Sequence, residues 1–445
     1  MVDWIADYLA HPERYPVLPK VEPGELSDAL PRIGPEQGES METILKDFET
    51  RIVPAITHWN NPGFMGYFAA TATGPGILGE MLAAALNANG MLWKTSPAVT
   101  ELEQVTLDWL RQWLGLPNPL FGVIFDTAST AVMHAIAAAR ELADPGVRIQ
   151  GGGRDLVLYA SEHAHNSVEK GAIVIGIGQQ NVRKIPADSE FRVSAGALIE
   201  AIERDRAAGR RPFCVVATVG TTSTSSIDPV SAIADIAERF GLWMHVDAAY
   251  GGSAALAPEF RHVLAGAERA DSLVVNPHKW MGVPIDLSVL YTRKPEIFKR
   301  AFSLVPEFLR TAEDSRVVNF MDYGVPLGRR FRALKLWFVM RYYGREGLAA
   351  RIRDHVLWAQ ELAATIAADD RFELCAPVLL SLVCFRRKGS DESNRELLER
   401  VNASGEVFLS HTALNGQFVL RLAIGNHGAT RRHVQRAWEI IQAQP

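Results

Sequence analysis

The chain has 445 residues, of which 48% are hydrophobic and 22% are charged, and its formal net charge is −5. This mixture is typical of a globular protein and excludes a disordered chain or a fibrous repeat. The small acidic excess gives no support to a nucleic-acid-binding role, because proteins of that class usually carry a basic excess. The length suggests about two or three domains.

Cysteine usage and hydropathy favour a cytoplasmic protein. The three cysteines, Cys214, Cys375 and Cys384, are too scattered for a disulfide framework, which fits a reducing compartment. The N-terminus is acidic and lacks the basic start of a signal peptide. Polar residues interrupt the most apolar stretch, 120–139, so we expect no membrane span.

Residues 1–72 alternate short helical patterns with proline-rich joints. Such a segment cannot bury a core alone, and we expect it to be a dimerisation segment that packs on a partner subunit. A helical pattern follows over 79–114.

From about 120 to 295, short apolar strands alternate with helices. The predicted strands are Val123–Phe125, Leu156–Tyr159, Ile173–Ile175, Phe213–Val219, Leu242–Val246, Leu273–Val275 and Ser288–Tyr291. The clearest predicted helices are Ala131–Leu142, Ala195–Ala208 and Val230–Phe240. Asp228 can cap the last of these, and Pro229 suits its first turn.

This alternation predicts an α/β fold in which helices cover both faces of a mostly parallel sheet. We assign residues 73–337 to this large domain, and we predict that an aromatic-rich helix from 331 to 343 follows the alternating region. Residues 338–445 are predicted to form a small α+β domain with a helix over 347–366 and strands at Leu379–Phe385 and Phe418–Ala423. Ligands of parallel sheets bind at the carboxyl ends of the strands.

Lys279 directly follows one of these predicted strands, within Asn-Pro-His-Lys-Trp at 276–280. Lysine is ordinarily a solvated surface residue, but the flanking apolar residues place this one at the ligand edge of the sheet. A lysine with a lowered pKa at that edge can form a Schiff base with an aldehyde cofactor.

Asp247 ends the preceding predicted strand, so its side chain can share a crevice with Lys279. Taken alone, such a carboxylate is as consistent with capping the next helix as with a catalytic role. Beside a Schiff-base lysine, the better interpretation is a carboxylate that keeps a pyridine nitrogen protonated.

His165 lies two residues after His163, a spacing that resembles half of a metal site. No cysteine or carboxylate cluster completes such a site, so we predict no metal and favour a histidine stacked on a flat cofactor ring. Two small polar turns, 126–130 and 220–223, could anchor a phosphate, although neither is specific alone. Dinucleotide and P-loop motifs are absent from the sequence.

Together these residues resemble the group II pyridoxal-phosphate decarboxylases, and most of all the aromatic L-amino acid decarboxylases. The two central motifs are His-Val-Asp-Ala-Ala-Tyr at 245–250 and Asn-Pro-His-Lys-Trp at 276–280. Further matching segments span nearly the whole chain: Trp59 with Pro62, 67–68, 96–103, 216–222, 326–332 and 434–439.

The resemblance implies a homodimeric enzyme of the pyridoxal-phosphate-dependent transferase fold type I. By the family pattern, Lys279 would bind the cofactor aldehyde, Asp247 would pair with the pyridine nitrogen and His165 would stack on the ring. The residues implied to hold the phosphate or lie beside the cofactor are Ala128, Ser129, Thr222, Asn276 and His278. Those implied to lie near an aromatic substrate are Trp59, Tyr67, Phe68 and Gly328.

The chain departs from the family at two places. Ala69 and Ala70 follow Phe68 where a Pro-Thr pair is usual, which removes one expected substrate contact. In the loop Val-Pro-Glu-Phe-Leu at 305–309, Phe308 replaces the tyrosine that protonates the substrate α-carbon. Phenylalanine cannot donate a proton.

Plant members of the family with Phe at this position are arylacetaldehyde synthases, so the resemblance favours an aldehyde product. The alternative is an ordinary amine-forming decarboxylase in which water, His165 or another group replaces the tyrosine. A catalytically silent scaffold is disfavoured because Lys279 and Asp247 are both present. The choice among phenylalanine, tyrosine, dihydroxyphenylalanine, tryptophan and 5-hydroxytryptophan stays open, although Gly328 resembles members that accept indoles.

Overall fold

The structure is a computed structural model that describes residues 1–306 and 309–445. Phe308 therefore lies outside the described residues. The N-terminal region contains short helices without a buried residue, followed by two longer ones. These helices are α1 (Val2–Ala10), α2 (Glu25–Ala29), α3 (Met41–Asp47), α4 (Gly74–Leu86) and α5 (Pro97–Trp113).

Within the described residues, the large sheet has seven strands in the order β1-β7-β6-β5-β4-β2-β3. The strands are β1 (Phe121–Phe125), β2 (Leu156–Ser161), β3 (Val182–Ile185), β4 (Arg211–Thr218), β5 (Trp243–Asp247), β6 (Ser272–Val275) and β7 (Ser288–Thr292). Only β7 runs antiparallel to its neighbours, β1 and β6. The prediction of a mostly parallel sheet is therefore confirmed.

Helices lie on both faces of this sheet. They are α6 (Ala128–Ala143), α7 (Val147–Gln150), α8 (Ser167–Val174), α9 (Ala195–Ala207), α10 (Val230–Phe240), α11 (Pro277–Trp280) and α12 (Pro295–Phe302). Successive residues of β4 enter different hydrophobic clusters: Val215 faces one and Val216 faces the other. This alternation explains why the strands read as unbroken apolar runs.

Two local predictions were wrong. Ile173–Ile175 is not a strand, because Ile173 and Val174 end α8 and are exposed. A short apolar run does not distinguish a strand from a helix end. Asp228 does not cap α10: its carboxylate accepts the N–H groups of Val193 and Thr218, both at 2.8 Å.

The C-terminal region contains a second, antiparallel sheet of order β10-β11-β9-β8. The helices and strands of this region are α13 (Arg332–Ala367), β8 (Phe372–Leu374), β9 (Leu382–Arg387), α14 (Asp391–Ala403), β10 (Ser410–Leu414), β11 (Gln417–Ala423) and α15 (Arg431–Ala443). Gly344 interrupts α13 with a φ of +64°, which separates the two predicted helices. Among the described helices, none combines the length and apolarity needed to cross a bilayer.

A buried ion pair joins the large domain across distant parts of the chain. Arg329 donates to the two carboxylate oxygens of Glu103, on α5, at 3.0 and 2.7 Å. The same carboxylate accepts the N–H of Ile124 in β1 at 2.9 Å, and Arg329 donates to the carbonyl of Ile124 at 2.9 Å. The pair thus connects α5, β1 and the segment that leads into α13.

Replacing Glu103 measures how much this ion pair contributes to the free energy of unfolding. Glu103→Ala leaves a buried guanidinium without its partner, so we expect the free energy of unfolding to fall by about 3–5 kcal/mol. Glu203→Ala is the matched control, because its pair with Arg239 lies on the surface and should contribute about 0–1 kcal/mol. Urea unfolding checks both values, and equal losses in the two variants would contradict the assignment.

Candidate active site

A cavity of about 170 Å³ opens at the carboxyl ends of β4, β5 and β6. The strands end level with each other, since Thr218 pairs with Asp247 and Asp247 pairs with Val274. The cavity is lined by Phe68, Thr127, Ala128, Ser129, His165, Thr218, Gly220, Thr222, Asp247, Ala249, Tyr250, Asn276, His278 and Lys279.

Lys279 lies on α11, the short helix that follows β6. Burial lowers the pKa of this lysine, while the nearby carboxylate of Asp247 raises it. Its Nζ lies 5.5 Å from the ring centroid of Phe68. The surroundings therefore favour an amine that loses its proton more readily than a surface lysine does.

Asp247 is 4% exposed. Its Oδ1 accepts the N–H of Ala249 at 3.1 Å, which is the local turn-forming bond expected of a strand-ending aspartate. In the part of the chain that the structure describes, Oδ2 has no hydrogen-bond partner. Oδ1 thus accepts a backbone hydrogen bond, and Oδ2 can accept a hydrogen bond from a ligand in the cavity.

His165 is exposed on the cavity side, in the turn before α8. Its Nδ1 accepts the N–H of Ser167 at 3.1 Å, so a neutral ring carries its hydrogen on Nε2. Partial burial lowers the pKa of His165, the carboxylate of Asp247 opposes this effect, and the nearby Lys279 and Lys170 lower the pKa further. His165 and His163 belong to no cluster of three metal-binding side chains among the described residues.

Ala128 and Ser129 begin α6, beside the cavity. The first backbone N–H groups of a helix have no hydrogen-bond partner within the helix. In α6, the hydroxyl oxygen of Thr127 accepts the backbone N–H of Thr130 at 3.3 Å. Among the described residues the N–H groups of Ala128 and Ser129 have no hydrogen-bond acceptor, so they are available to donate to an anion at the positive end of this helix.

Thr222 approaches the cavity from the turn after β4. Arg421, on β11, donates to the carbonyl oxygens of Thr222 and Ser223, at 2.5 and 3.0 Å. Arg421 is buried and pairs with no carboxylate among the described residues. It ties the small sheet to this turn, a contact that no sequence motif indicated.

Asn276 and His278 line the cavity, but their side chains are committed to the protein. Asn276 Oδ1 accepts the hydroxyl of Ser288 at 2.6 Å, and His278 Nδ1 accepts the N–H of Leu287 at 2.9 Å. Burial lowers the pKa of His278 to about 4. These contacts hold the start of α11 and thus the position of Lys279.

The predicted substrate residues are only partly brought together. Phe68 lines the cavity and stacks on Tyr250 with ring centroids 3.8 Å apart. Trp59 and Tyr67 do not line it; they stack on each other at 6.0 Å and are exposed. Gly328 lines a separate cavity of about 110 Å³. Sequence reasoning missed Tyr250, although it ends the 245–250 motif.

Comparison with known proteins agrees with this geometry. The family described as "Pyridoxal-dependent decarboxylase conserved domain" matches residues 23–388. The chain belongs to this family. Pyridoxal phosphate is therefore its cofactor, and the protein is a carboxy-lyase.

Individual relatives cover almost the whole chain. An aromatic-L-amino-acid decarboxylase from Bos taurus is 44% identical over 99% of this chain and 94% of its own length. A phenylacetaldehyde synthase from Arabidopsis thaliana is 42% identical over 100% of this chain and 94% of its own. The crystal structure of Oryza sativa TDC with PLP and tryptamine has a TM-score of 0.96, with 40% identity over 99% of this chain and 95% of that one.

The residues of the cavity fit pyridoxal phosphate. The Oδ2 of Asp247 can accept a hydrogen bond from the pyridinium N–H, and the backbone N–H groups at the start of α6 can donate to phosphate oxygens. The amine of Lys279 lies in the same cavity and can bind the aldehyde carbon. The donor set thus matches each end of the cofactor.

Asp228 binds the backbone at Thr218, just before the turn that carries Thr222, and its burial should make the free energy of unfolding depend on pH. Burial raises its pKa from 3.8 to about 6, so the folded protein binds more protons than the unfolded chain between these values. The free energy of unfolding should therefore fall as pH rises from about 4 to about 6, by on the order of 3 kcal/mol from this group.

Asp228→Asn cannot titrate and should lose this part of the pH dependence. Urea unfolding between pH 4 and 7 measures it, with Asp235→Asn on the exposed face of α10 as the control. An Asp228→Asn protein whose stability keeps the slope of the unmodified protein would show that the carboxyl titrates normally.

Proposed function

We propose that the protein decarboxylates an aromatic L-amino acid and couples this reaction to oxidative deamination by O₂. One amino acid, one O₂ and one water would give one arylacetaldehyde, CO₂, ammonia and hydrogen peroxide. The decarboxylation is supported by Lys279 and Asp247 meeting in one cavity, where the lysine pKa is lowered and a carboxylate oxygen is free. An aromatic substrate is supported by the similarity to aromatic-L-amino-acid and tryptophan decarboxylases.

Bound pyridoxal phosphate supplies an electron sink for the pair left on the substrate α-carbon when CO₂ departs. In this proposal Lys279 would hold the cofactor through its aldehyde. Asp247 holds a proton on the ring nitrogen, and the start of α6 holds the phosphate. His165 would lie against the ring and could donate through its Nε2–H.

The product depends on whether a proton reaches that carbon before oxygen does. The observation that carries the aldehyde proposal is Phe308, which has no hydroxyl where the family's donor tyrosine is expected. Among the described cavity groups, His165 is kept neutral, and the hydroxyl of Tyr250 is hydrogen-bonded to Ser381 while burial raises its pKa. Neither group is a ready acid at neutral pH.

The second candidate is amine formation, favoured by the equally high similarity to proteins named as decarboxylases. A positioned general acid contributes roughly 10²–10⁴-fold, or about 3–5 kcal/mol. Loss of that acid slows protonation but leaves CO₂ release intact, which gives oxygen time to react.

Phe308→Tyr restores an O–H with a pKa of about 10 and should shift products from aldehyde toward amine. We expect peroxide and oxygen uptake to fall by at least tenfold while substrate KM changes little. Chromatography of products with an oxygen electrode measures this shift. If the unmodified enzyme forms only amine and consumes no oxygen, the amine-forming decarboxylase is the correct function.

We also propose that the protein acts as a cytoplasmic homodimer in which residues 1–72 pack on the partner. Apolar side chains on α4, directly after this segment, support the dimer: Leu78, Leu82 and Leu86 recur every four residues on one face and are 53%, 49% and 65% exposed. Beside them a groove of about 530 Å³ includes the rings of Trp337 and Tyr342 on α13. Contiguous exposed apolar side chains of this kind are typical of protein–protein interfaces.

A charge placed in the middle of this face should break the dimer. For Leu82→Glu we expect monomers in sedimentation velocity at micromolar protein, because burying an unpaired carboxylate is strongly unfavourable. Ile149→Glu, at an isolated exposed position, should stay dimeric. A dimeric Leu82→Glu protein would place the interface elsewhere.

A further inference from the structure

The turn between β2 and α8 brings Ser167 into contact with His165. Ser167, the first residue of α8, is buried, whereas His165 faces the cavity. The N–H of Ser167 donates to Nδ1 of His165 at 3.1 Å, and its hydroxyl lies 2.9 Å from the same nitrogen. Because a backbone N–H can only donate, Nδ1 must present its lone pair.

Two further features disfavour a charged ring. The imidazole Nδ1 sits at the N-terminal end of α8, where the helix dipole repels positive charge. The titratable groups that face His165 are Lys279 on α11, Lys170 on α8 and Asp247 on β5, and only Asp247 favours the imidazolium. Protonation of Nδ1 would also set two N–H groups against each other.

We propose that Ser167 is a positioning residue that holds His165 as the neutral Nε2–H tautomer, so that the ring donates a hydrogen bond into the cavity without delivering a proton. This inference rests on the proposed aldehyde-forming function, for which it supplies a reason. A neutral imidazole is a very weak acid, whereas an imidazolium at the same place could protonate the α-carbon and direct the reaction to amine.

The test places a carboxylate beside Nδ1. Ser167→Asp offers an acceptor for an Nδ1–H and should stabilise the imidazolium, and an acidic residue suits the first turn of a helix. Asn166→Asp is the matched control, since it adds the same charge one residue away on the exposed side of the turn. Ser167→Ala keeps the backbone N–H and should leave His165 neutral.

The first readout is the pKa of His165 itself, from the pH dependence of deuterium exchange at the imidazole C2, resolved by peptide mass spectrometry on the purified enzyme. In the unmodified protein and Ser167→Ala we expect a pKa below the ordinary value of about 6.5. In Ser167→Asp we expect at least tenfold more imidazolium at pH 7, and a smaller rise in Asn166→Asp.

The second readout is the amine fraction of the products, which a merely structural role would not move. It should rise in Ser167→Asp and stay constant in Ser167→Ala. The proposal would be overturned if Ser167→Asp folds and leaves the His165 pKa unchanged. It would also be overturned if Ser167→Ala raises the His165 pKa as much as Ser167→Asp does. A raised pKa with an unchanged amine fraction would overturn the role in product choice.

The two proposals fail in different ways. If the unmodified enzyme makes amine alone, the aldehyde-forming function is wrong, and the exchange measurement still decides whether Ser167 sets the state of His165. If Ser167→Asp does not fold, the His165 pKa in the unmodified protein and in Ser167→Ala decides instead: a value at or above about 6.5 in either overturns the assignment.

Discussion

Strands β4, β5 and β6 end level with one another, and the positions of Thr222, Asp247 and Lys279 depend on that register. Because Thr218, Asp247 and Val274 are hydrogen-bonded neighbours, the turns that follow these strands leave the sheet at one edge. A shift of one residue would turn the Asp247 side chain to the opposite face. The same strand pairing also carries the two hydrophobic clusters, so the stability of the sheet and the geometry of the site depend on the same contacts.

Burial away from water shifts the pKa values of the titratable groups in the cavity. Lys279 loses hydration, which favours the uncharged amine, while Asp247 stays close enough to moderate the effect. The anion site at α6 uses backbone N–H groups, which carry no titratable proton. A backbone N–H donates to Nδ1 of His165, which favours the neutral ring. The site thus combines an available nucleophile with a fixed carboxylate, and it offers no strong acid among the described residues.

The sequence predicted the elements whose patterns are strong and missed those that depend on distant contacts. Val230–Phe240 was predicted with its bounds because its apolar face repeats at helical spacing. The edge strand β3 was missed because it contains Arg183 and Lys184 and reads as a polar loop. Lys279 and Asp247 were found because strand ends are visible in sequence, whereas Arg421 lies far along the chain and carries no local signal.

The central claim is that Lys279 is the residue that binds the cofactor, and reductive trapping tests it most directly. Borohydride treatment of the enzyme loaded with pyridoxal phosphate should fix one pyridoxyl group per chain, and peptide mass spectrometry should locate it on Lys279. The ultraviolet–visible band of the bound cofactor should disappear together with decarboxylation. A modified lysine elsewhere, or cofactor that stays fully dialysable after reduction, would contradict the account.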